Sequence, residues 1–426
     1  TRLTGGSRII QLLVIGWAFP SFLQGVCGFG TPVAVAAPLL VGLKFHPIIA
    51  TATALLGHSW AVTFGSLGSS YAAIISVTNL DPERIAFWSS IFLAITCIMV
   101  GLSICLVYNG LKGIKEGWHL SIALSLVMGL TLFLTANYLT PYIASTLAGA
   151  VGLIFGGLVL PKIYFRNRTQ EIDIEKEKTP KGINFHVAFA PYYILVVIVF
   201  LVYLSPLKAL FSPVKIGLSF PETSTAFGFI NEATASYSPI SIITTPGTLI
   251  LLTIFISIIF FSAIGIWKKS YAKDVVSSVM KQAFPATLTV MTMSMMSVIM
   301  MDAGLTTILA EGTAQFTQAF YPIFSPFVGI LGAFMTGSNT SSNILFGVFQ
   351  KDVATILGVN AFIIASLQTT GGAIGNAISP MNVALGTAVT KIAGQEGKVI
   401  IKTITYSLAM TLIVGLLAFI ILFAFV

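Results

Sequence analysis

The chain has 426 residues, of which 56% are hydrophobic and 8% are charged. Soluble globular domains carry about 25% charged residues, so this composition excludes a soluble globular protein. The net charge of +8 indicates basic loops on the cytoplasmic side of a membrane rather than a nucleic-acid-binding surface. Cys27, Cys97 and Cys105 lie among apolar residues, which favours packing roles over a disulfide or a metal site.

Long apolar runs predict helices that cross a membrane. A helix needs about 20 mostly apolar residues for this, and its backbone satisfies its own hydrogen bonds in lipid. The runs are continuous, whereas the strands of a transmembrane barrel alternate. In chain order, the predicted spans are 9–27, 85–108, 118–136, 141–161, 187–204, 247–267, 285–301 and 403–426.

Basic loops orient these spans. Lys112 and Lys115 occupy one loop, and further lysines and arginines cluster in 161–182 and 268–281. Two predicted spans separate each loop from the next, so all three loops lie on one side, which the positive-inside rule makes cytoplasmic. The segment 205–246 is then external, either a plain loop or a partly re-entrant cap. The expected domains are an N-terminal repeat over 1–165, a cytoplasmic linker over 166–186 and a C-terminal repeat over 187–426.

Two irregular regions, 28–78 and 302–392, resemble each other. Each opens with a glycine-flanked polar turn, continues with a short apolar piece ending near a lysine (Lys44, Lys351), and then has an interrupted apolar stretch. Paired interrupted segments in two halves point to the binding site of a transporter. The predicted fold is an all-α polytopic membrane protein with two inverted-type repeats, each with a re-entrant helical hairpin and interrupted helices. Chance similarity is the alternative.

The stretch "TGSNTSSNILFG" (336–347) places six consecutive polar residues between two short apolar pieces, Phe327–Met335 and Ile344–Phe349. Neither piece is long enough to cross a bilayer, so we expect a hairpin that enters partway, with a non-helical polar turn at its tip. Hydroxyls and amides beside a helix N-terminus suit a carboxylate, and their oxygens also suit a small cation. A ligand-free turn at the water interface is the alternative. The candidate binding residues are Ser338, Asn339, Thr340, Ser341, Ser342 and Asn343.

A second motif, "GFGTP", supplies a matching tip. Thr31 is the expected N-cap and Pro32 the first helical residue, while Gly28 and Gly30 allow a close approach of the backbone. The dipeptide "SP" at 379–380 repeats this arrangement after "GGAIGNAI". Gly28, Gly30 and Thr31 are therefore candidate binding residues as well.

Ionisable residues are scarce inside the apolar stretches. All five arginines lie at span ends or in loops, so anion binding rests on helix dipoles, hydroxyls, amides and a proton. His58 and Asp302 are the proton-coupling candidates, because histidine titrates near neutral pH and an acid at the end of an apolar run is a functional candidate. A packing histidine and an interfacial aspartate are the alternatives. Enzyme-like patterns such as "GHSWA" (57–61) lack their required structural context.

The motifs "GFGTPVAVAAPLLVGLKFHP", "GSNTSSNILFG" and "GGAIGNAISPMNV", in this order and spacing, resemble the lactate permease family over nearly the whole chain. The resemblance implies a secondary transporter that takes up lactate, and often glycolate, with protons. It also implies a relation to a larger ion-transporter superfamily with paired hairpins, a Ser-Asn-Thr motif matched by Ser338, Asn339 and Thr340, and elevator-like movement. The first hairpin lacks that motif, and His58 replaces an expected neutral polar residue. Family members carry further N-terminal helices, and a chain that opens at Thr1 leaves open whether it is a piece of a longer protein.

The sequence therefore predicts a multi-pass transporter of the cell membrane for small 2-hydroxy monocarboxylates, with no enzymatic activity, cofactor or metal. The two tips hold the carboxylate, and Gln368, Asn376 or Ser379 meets the substrate hydroxyl. The expected partners are substrate, H⁺ and the lipid bilayer; a homodimer is left open. The alternatives are a sodium-coupled carboxylate transporter, a membrane-embedded enzyme that uses His58 or Asp302, and a channel.

Overall fold

A computed structural model describes residues 7–28, 30–165, 187, 190–203, 215–224, 230–243 and 246–423. The chain divides into two compact units, Thr1–Ile174 with Leu305–Val426 and Glu175–Gly304. The predicted linker 166–186 lies outside the described residues.

The N-terminal part of the first unit is a series of helices joined by short turns. Most of the predicted irregular region 28–78 is helical, and the predicted spans 85–108 and 118–136 form one hairpin. That hairpin breaks at Asn109 and Gly110, and its arms are joined by a hydrogen bond from Ser121 Oγ to the Gly101 carbonyl, 3.2 Å long. The helices are α1 (Arg8–Val26), α2 (Thr31–Gly42), α3 (Pro47–Ser59), α4 (Gly65–Thr78), α5 (Pro82–Tyr138), α6 (Ala144–Leu158) and α7 (Leu160–Phe165).

The second unit holds the predicted spans 187–204, 247–267 and 285–301. Helix α8 (Ala190–Tyr203) and helix α9 (Pro246–Ala263) correspond to the first two. Helix α10 (Lys269–Asp302) is 34 residues long, so the basic segment predicted as a loop is helical. Charged helical turns are stable at a membrane surface. Hydropathy therefore shows where the apolar part of α10 begins, but not where the helix itself begins.

The segment 205–246, predicted to be external, contains strands, which departs from the all-α prediction. β1 (Lys215–Phe220) pairs with β4 (Thr234–Ser241), and β2 (Thr223–Ser224) pairs with β3 (Ile230–Asn231), both antiparallel. Residues such as Ile, Thr, Tyr and Phe are frequent in these strands and favour extended backbone. The segment is therefore not a plain loop over its described residues.

The C-terminal part of the first unit repeats the pattern of helices and short turns. The predicted irregular region 302–392 is mostly helical here too. The two parts pack side by side: Lys351 Nζ donates a 2.8 Å hydrogen bond to the Thr78 carbonyl at the end of α4. The helices are α11 (Leu305–Thr317), α12 (Tyr321–Thr336), α13 (Asn339–Ile356), α14 (Ala361–Gly375), α15 (Pro380–Val389) and α16 (Glu396–Phe423).

Several helices are long and apolar enough to cross a membrane. Within the part of the chain that the structure describes, these segments are Arg8–Val26, Pro82–Tyr138, Pro141–Lys162, Leu305–Thr336 and Glu396–Phe423. Leu126, Leu130 and Leu134 form an exposed apolar stripe at helical spacing on α5, as expected of a surface in contact with lipid. The prediction of a multi-pass, predominantly helical membrane protein is confirmed.

Candidate functional site

The turn between α1 and α2 lies against the starts of two other helices. A Cβ atom at Gly28 would collide with the Ser66 side chain in the first turn of α4. One at Gly30 would collide with Leu385 of α15, with Asn382 Oδ1 3.8 Å away. The start of α2 therefore lies beside the starts of α4 and α15.

The turn between α12 and α13 lies against the same two helices. A Cβ atom at Gly337 would lie 3.0 Å from Met381 Cε, in the first turn of α15. Thr340 Oγ1, in the first turn of α13, lies 3.0 Å from Ser70 Oγ of α4. Helices α2, α4, α13 and α15 thus begin in one region of the first unit.

The helix starts in this region carry partial positive charge, and the segments that contain them have no charged side chain. The N-terminus of a helix exposes backbone N–H groups and the positive end of its dipole, which together favour anions. The surrounding segments 24–36, 60–72, 334–346 and 376–388 contain no Asp, Glu, Lys or Arg. Four helix starts surrounded by hydroxyls and amides therefore suit one small carboxylate.

The side chain of Asn339 joins the two parts of the first unit. Its Nδ2 donates to the Thr369 carbonyl at 3.0 Å and to Thr63 Oγ1 at 3.3 Å. Asn343 Nδ2 donates to Thr369 Oγ1 at 2.8 Å and to the Ser70 carbonyl at 2.9 Å. The Oδ1 atoms of both asparagines are buried and have no hydrogen-bond partner among the described residues. Each is therefore an acceptor for a donor group, such as a hydroxyl of a ligand, and does not bond a carboxylate oxygen.

The start of α13 differs from the predicted non-helical polar turn. The turn is only Gly337, with φ +72°, and Ser338, whose side chain caps the helix by accepting from the Ser341 N–H. Asn339 to Asn343 are helical, because the cap and the contact of Ser342 Oγ with the Gly329 carbonyl (3.0 Å) stabilise a helix through these polar residues. The two arms are therefore 16 and 18 residues long, longer than the apolar pieces from which they were predicted.

The predicted N-cap of α2 is wrong by one residue. The N-cap is Gly30, with φ +82°, and Thr31 is the first helical residue. The chain enters this helix from the left-handed region, which glycine adopts far more readily than threonine. The prediction for α15 is right: Ser379 is its N-cap and Pro380 its first residue. Ser379 Oγ is buried without a partner among the residues described.

Gln368 belongs to a hydrogen-bonded chain within α12, α13 and α14. Its Nε2 donates to Ser342 Oγ at 3.0 Å, and its Oε1 accepts from Gln350 Nε2 at 2.9 Å. Gln350 Oε1 in turn accepts from Tyr321 and Ser325. Both ends of the Gln368 amide are therefore occupied by protein.

Asn376 is paired with a residue that the sequence did not single out. Asn382 Nδ2 donates to Asn376 Oδ1 at 2.7 Å and to its carbonyl at 3.1 Å. This pair closes the break between α14 and α15, directly beside Gly30.

The first turn of α4 is irregular and contains further residues that sequence reasoning missed. Ser66, Leu67 and Gly68 are consecutive left-handed residues, with φ of 48°, 51° and 71°. Such runs are rare, and local strain of this kind concentrates at functional sites. The glycine-rich "FGSLGSS" signals a break here, but nothing in the sequence shows that Thr63 contacts Thr369, because 306 residues separate them.

The two proton-coupling candidates lie in different units. His58 is the penultimate residue of α3 and is only 1% exposed. Its Nδ1 lies 2.8 Å from the Ala54 carbonyl. Its Nε2 is buried without a hydrogen-bond partner among the described residues. Asp302 is the last residue of α10 in the second unit and is partly exposed. Arg8 and Arg84 lie at helix starts, over the rings of Phe45 and Phe362.

Comparison with known proteins identifies the family. A family model described as L-lactate permease matches residues 3–425. The chain belongs to this family.

Curated permeases resemble the chain over nearly its whole length. The chain is 30% identical over 447 residues to the glycolate permease of Escherichia coli (strain K12), covering 96% of this chain and 77% of that protein. An L-lactate permease of the same strain is 30% identical over 436 residues, with the same coverage. An L-lactate permease of Bacillus subtilis (strain 168) is 28% identical over 448 residues, covering 97% of this chain and 78% of that protein. These names describe transporters, so the prediction of a transporter rather than an enzyme is confirmed.

Proposed function

We propose that this permease carries small 2-hydroxy monocarboxylates, L-lactate or glycolate, across the cell membrane. The names of its family and relatives support the substrate class. The observation that carries the proposal is the meeting of four helix N-termini whose own chain segments contain no charged residue. Such a region attracts one small anion and has no arginine for a second carboxylate.

The carboxylate is held between the two glycine turns. Gly28, Gly30 and Thr31 contribute backbone and a hydroxyl from the first turn. A helix N-terminus stabilises an anion by typically 0.3–1 kcal/mol, and by up to about 2 kcal/mol when partly buried. The second turn, with Ser338, Asn339, Thr340, Ser341, Ser342 and Asn343, contributes backbone N–H groups and hydroxyls. The amide hydrogens of Asn339 and Asn343 are donated to protein atoms, so these two side chains offer only their Oδ1 atoms, as acceptors for the substrate hydroxyl.

The substrate hydroxyl meets the break between α14 and α15. Ser379 Oγ has no hydrogen-bond partner among the described residues, so it is free to bond this hydroxyl. Asn376 is held by Asn382 and presents its amide beside the same break. Gln368 acts differently from the sequence expectation: it fixes Ser342, which keeps the second turn in place.

Uptake is driven by protons in this proposal. An inside-negative potential opposes entry of the anion by about 2.3 kcal/mol per charge per 100 mV, so a cation enters with it. His58 is the first candidate for the proton, because Nε2 is buried and has no partner among the described residues. Asp302 is the second candidate. Sodium coupling is the alternative, and replacing Na⁺ with choline distinguishes the two.

Transport proceeds by movement of one helical group against another. The order helix, glycine turn, helix, broken helix pair occurs in α1–α4 and again in α12–α15, which supports two repeats over 1–165 and 187–426 joined by the linker 166–186. We take the pairs α1–α2 and α12–α13 as the re-entrant hairpins. The contacts between Asn339, Thr63 and Thr369 join the α12–α13 hairpin to both broken pairs, and we propose that these elements move as one group, as in an elevator.

Uptake into proteoliposomes tests the function. Purified protein is given glycolate, L-lactate, D-lactate and succinate, with and without an inward proton gradient, in sodium or choline buffer. We expect saturable uptake of the 2-hydroxy monocarboxylates that rises with the proton gradient and is indifferent to sodium. Equal uptake of succinate, or uptake that requires sodium, would contradict the proposal.

A further inference from the structure

Helix α15 lies over both glycine turns with two apolar side chains. Met381 Sδ and Cβ lie 3.2 Å from a Cβ atom built at Gly337, and Leu385 fills the space over Gly30. Residues four apart lie on one face of a helix, so a single face of α15 spans the two turns.

This face is open, whereas much of the polar chemistry beneath it is buried. Met381 is 59% exposed and Leu385 is 36% exposed, compared with 1% for Asn339 and 2% for Asn382. Thr31, Ser338 and Thr340 are partly exposed beside them. The accessible surface at the glycine turns is therefore divided between hydroxyls and two apolar side chains, a methionine and a leucine.

A short 2-hydroxy acid has the same division. Its carboxylate and hydroxyl need donors, and its alkyl group, a methyl in lactate and a hydrogen in glycolate, needs an apolar neighbour. We propose that Met381 and Leu385 contact the alkyl group of the substrate and set its permitted length. This inference rests on the proposed function, and it names what distinguishes one 2-hydroxy acid from the next.

The size of the effect follows from apolar pockets in general. One methylene in contact with an apolar pocket changes specificity by roughly 10- to 200-fold. Because both side chains are partly exposed, we expect the lower end of that range. Leu385→Ala then lowers the preference for L-lactate over glycolate about tenfold. It also makes room for 2-hydroxybutyrate, whose uptake relative to L-lactate rises.

The test measures kcat/KM for glycolate, L-lactate and 2-hydroxybutyrate in proteoliposomes that contain Met381→Ala, Leu385→Ala or Leu385→Met. Ratios between substrates within one variant do not depend on how much protein is active. Leu385→Met keeps the side-chain volume and is expected to keep the wild-type ratios. Leu130→Ala is the matched control, because Leu130 is 59% exposed on α5 and away from the turns.

The outcomes separate this inference from the proposed function. A change in the ratios for Met381→Ala and Leu385→Ala, carried by KM and absent in Leu130→Ala and Leu385→Met, supports the inference. Ratios within twofold of wild type in both alanine variants overturn it while leaving the proposed function intact. Wild-type protein that carries none of the three acids overturns both.

Discussion

Replacement of Asn339 by alanine separates binding from folding. The substitution removes an amide whose Nδ2 contacts the Thr369 carbonyl at 3.0 Å and Thr63 Oγ1 at 3.3 Å. An amide NH₂ donates at most two hydrogen bonds, each with a net value of about 0.5–1.5 kcal/mol. The expected loss of stability is therefore about 1–3 kcal/mol, towards the lower end because the unpartnered Oδ1 is removed as well.

The expected effect on transport is larger than the effect on folding. In the proposed site, both Nδ2 hydrogens of Asn339 are held by protein atoms, and its unpartnered Oδ1 accepts a hydrogen bond from the substrate hydroxyl. Removing the buried partner of such a group costs about 1–3 kcal/mol. This loss corresponds to a fall of roughly 5- to 150-fold in kcat/KM. Thr369 also loses a contact that holds it near Asn343, which adds to the fall.

Asn360→Ala provides the matched control. Asn360 caps α14 at its far end, where its Oδ1 accepts from the N–H groups of Phe362 and Ile363. Alanine at an N-cap costs about 1 kcal/mol, so both variants should melt at similar temperatures. Uptake of L-lactate or glycolate is then measured on both. Transport by Asn339→Ala equal to that of Asn360→Ala would refute the role given to Asn339.

Three further variants test other parts of the site. Gly30→Ala is expected to abolish uptake, because φ is +82° and the new methyl collides with Leu385. Its control, Gly358→Ala, has φ +66° and open space around it, so it should lose stability alone. Equal uptake by the two variants would refute the role of the first turn. Ser338→Gly keeps most of the stabilisation that the N-cap gives α13, because glycine at an N-cap costs only a few tenths of a kcal/mol. We therefore expect uptake to fall without a fall in melting temperature. Unchanged uptake would exclude the Ser338 hydroxyl from the site. His58→Gln should retain exchange of labelled for unlabelled lactate but lose accumulation driven by a proton gradient. The control His119→Gln, at an exposed histidine, should retain both. Accumulation by His58→Gln would show that another residue carries the proton.

Sequence patterns located the helices of this protein better than the contacts between them. Apolar runs predicted the membrane-spanning helices, because a helix that crosses lipid needs such a run. The basic residues around Lys112 indicated the break at Asn109 and Gly110. The glycine motifs and "SNT" located both turns, since positive φ and an N-cap have local signatures. The cap of α2 was placed one residue late because Thr31 and Gly30 both suit that position, and only the chain path decides between them.

Long-range partners were beyond the sequence. Thr63, Ser66 and Asn382 are common polar residues in apolar surroundings, and their roles come from contacts with chain segments that are distant in sequence. For Gln368 the sequence suggested a ligand contact. It does not show that the amide bonds Ser342 and Gln350 instead. The strands within 215–241 were missed because short strands lack the hydropathy signal of the spans.

The central claim is that uncharged helix N-termini at the two glycine turns bind a carboxylate. Calorimetric titration of purified protein with L-lactate, glycolate and the neutral amide lactamide tests it most directly. The account predicts saturable binding of L-lactate or glycolate by wild-type protein and by Asn360→Ala, much weaker binding by Asn339→Ala, and no binding of lactamide. Lactamide bound as tightly as lactate, or equal affinity for lactate in Asn339→Ala and wild type, would contradict it.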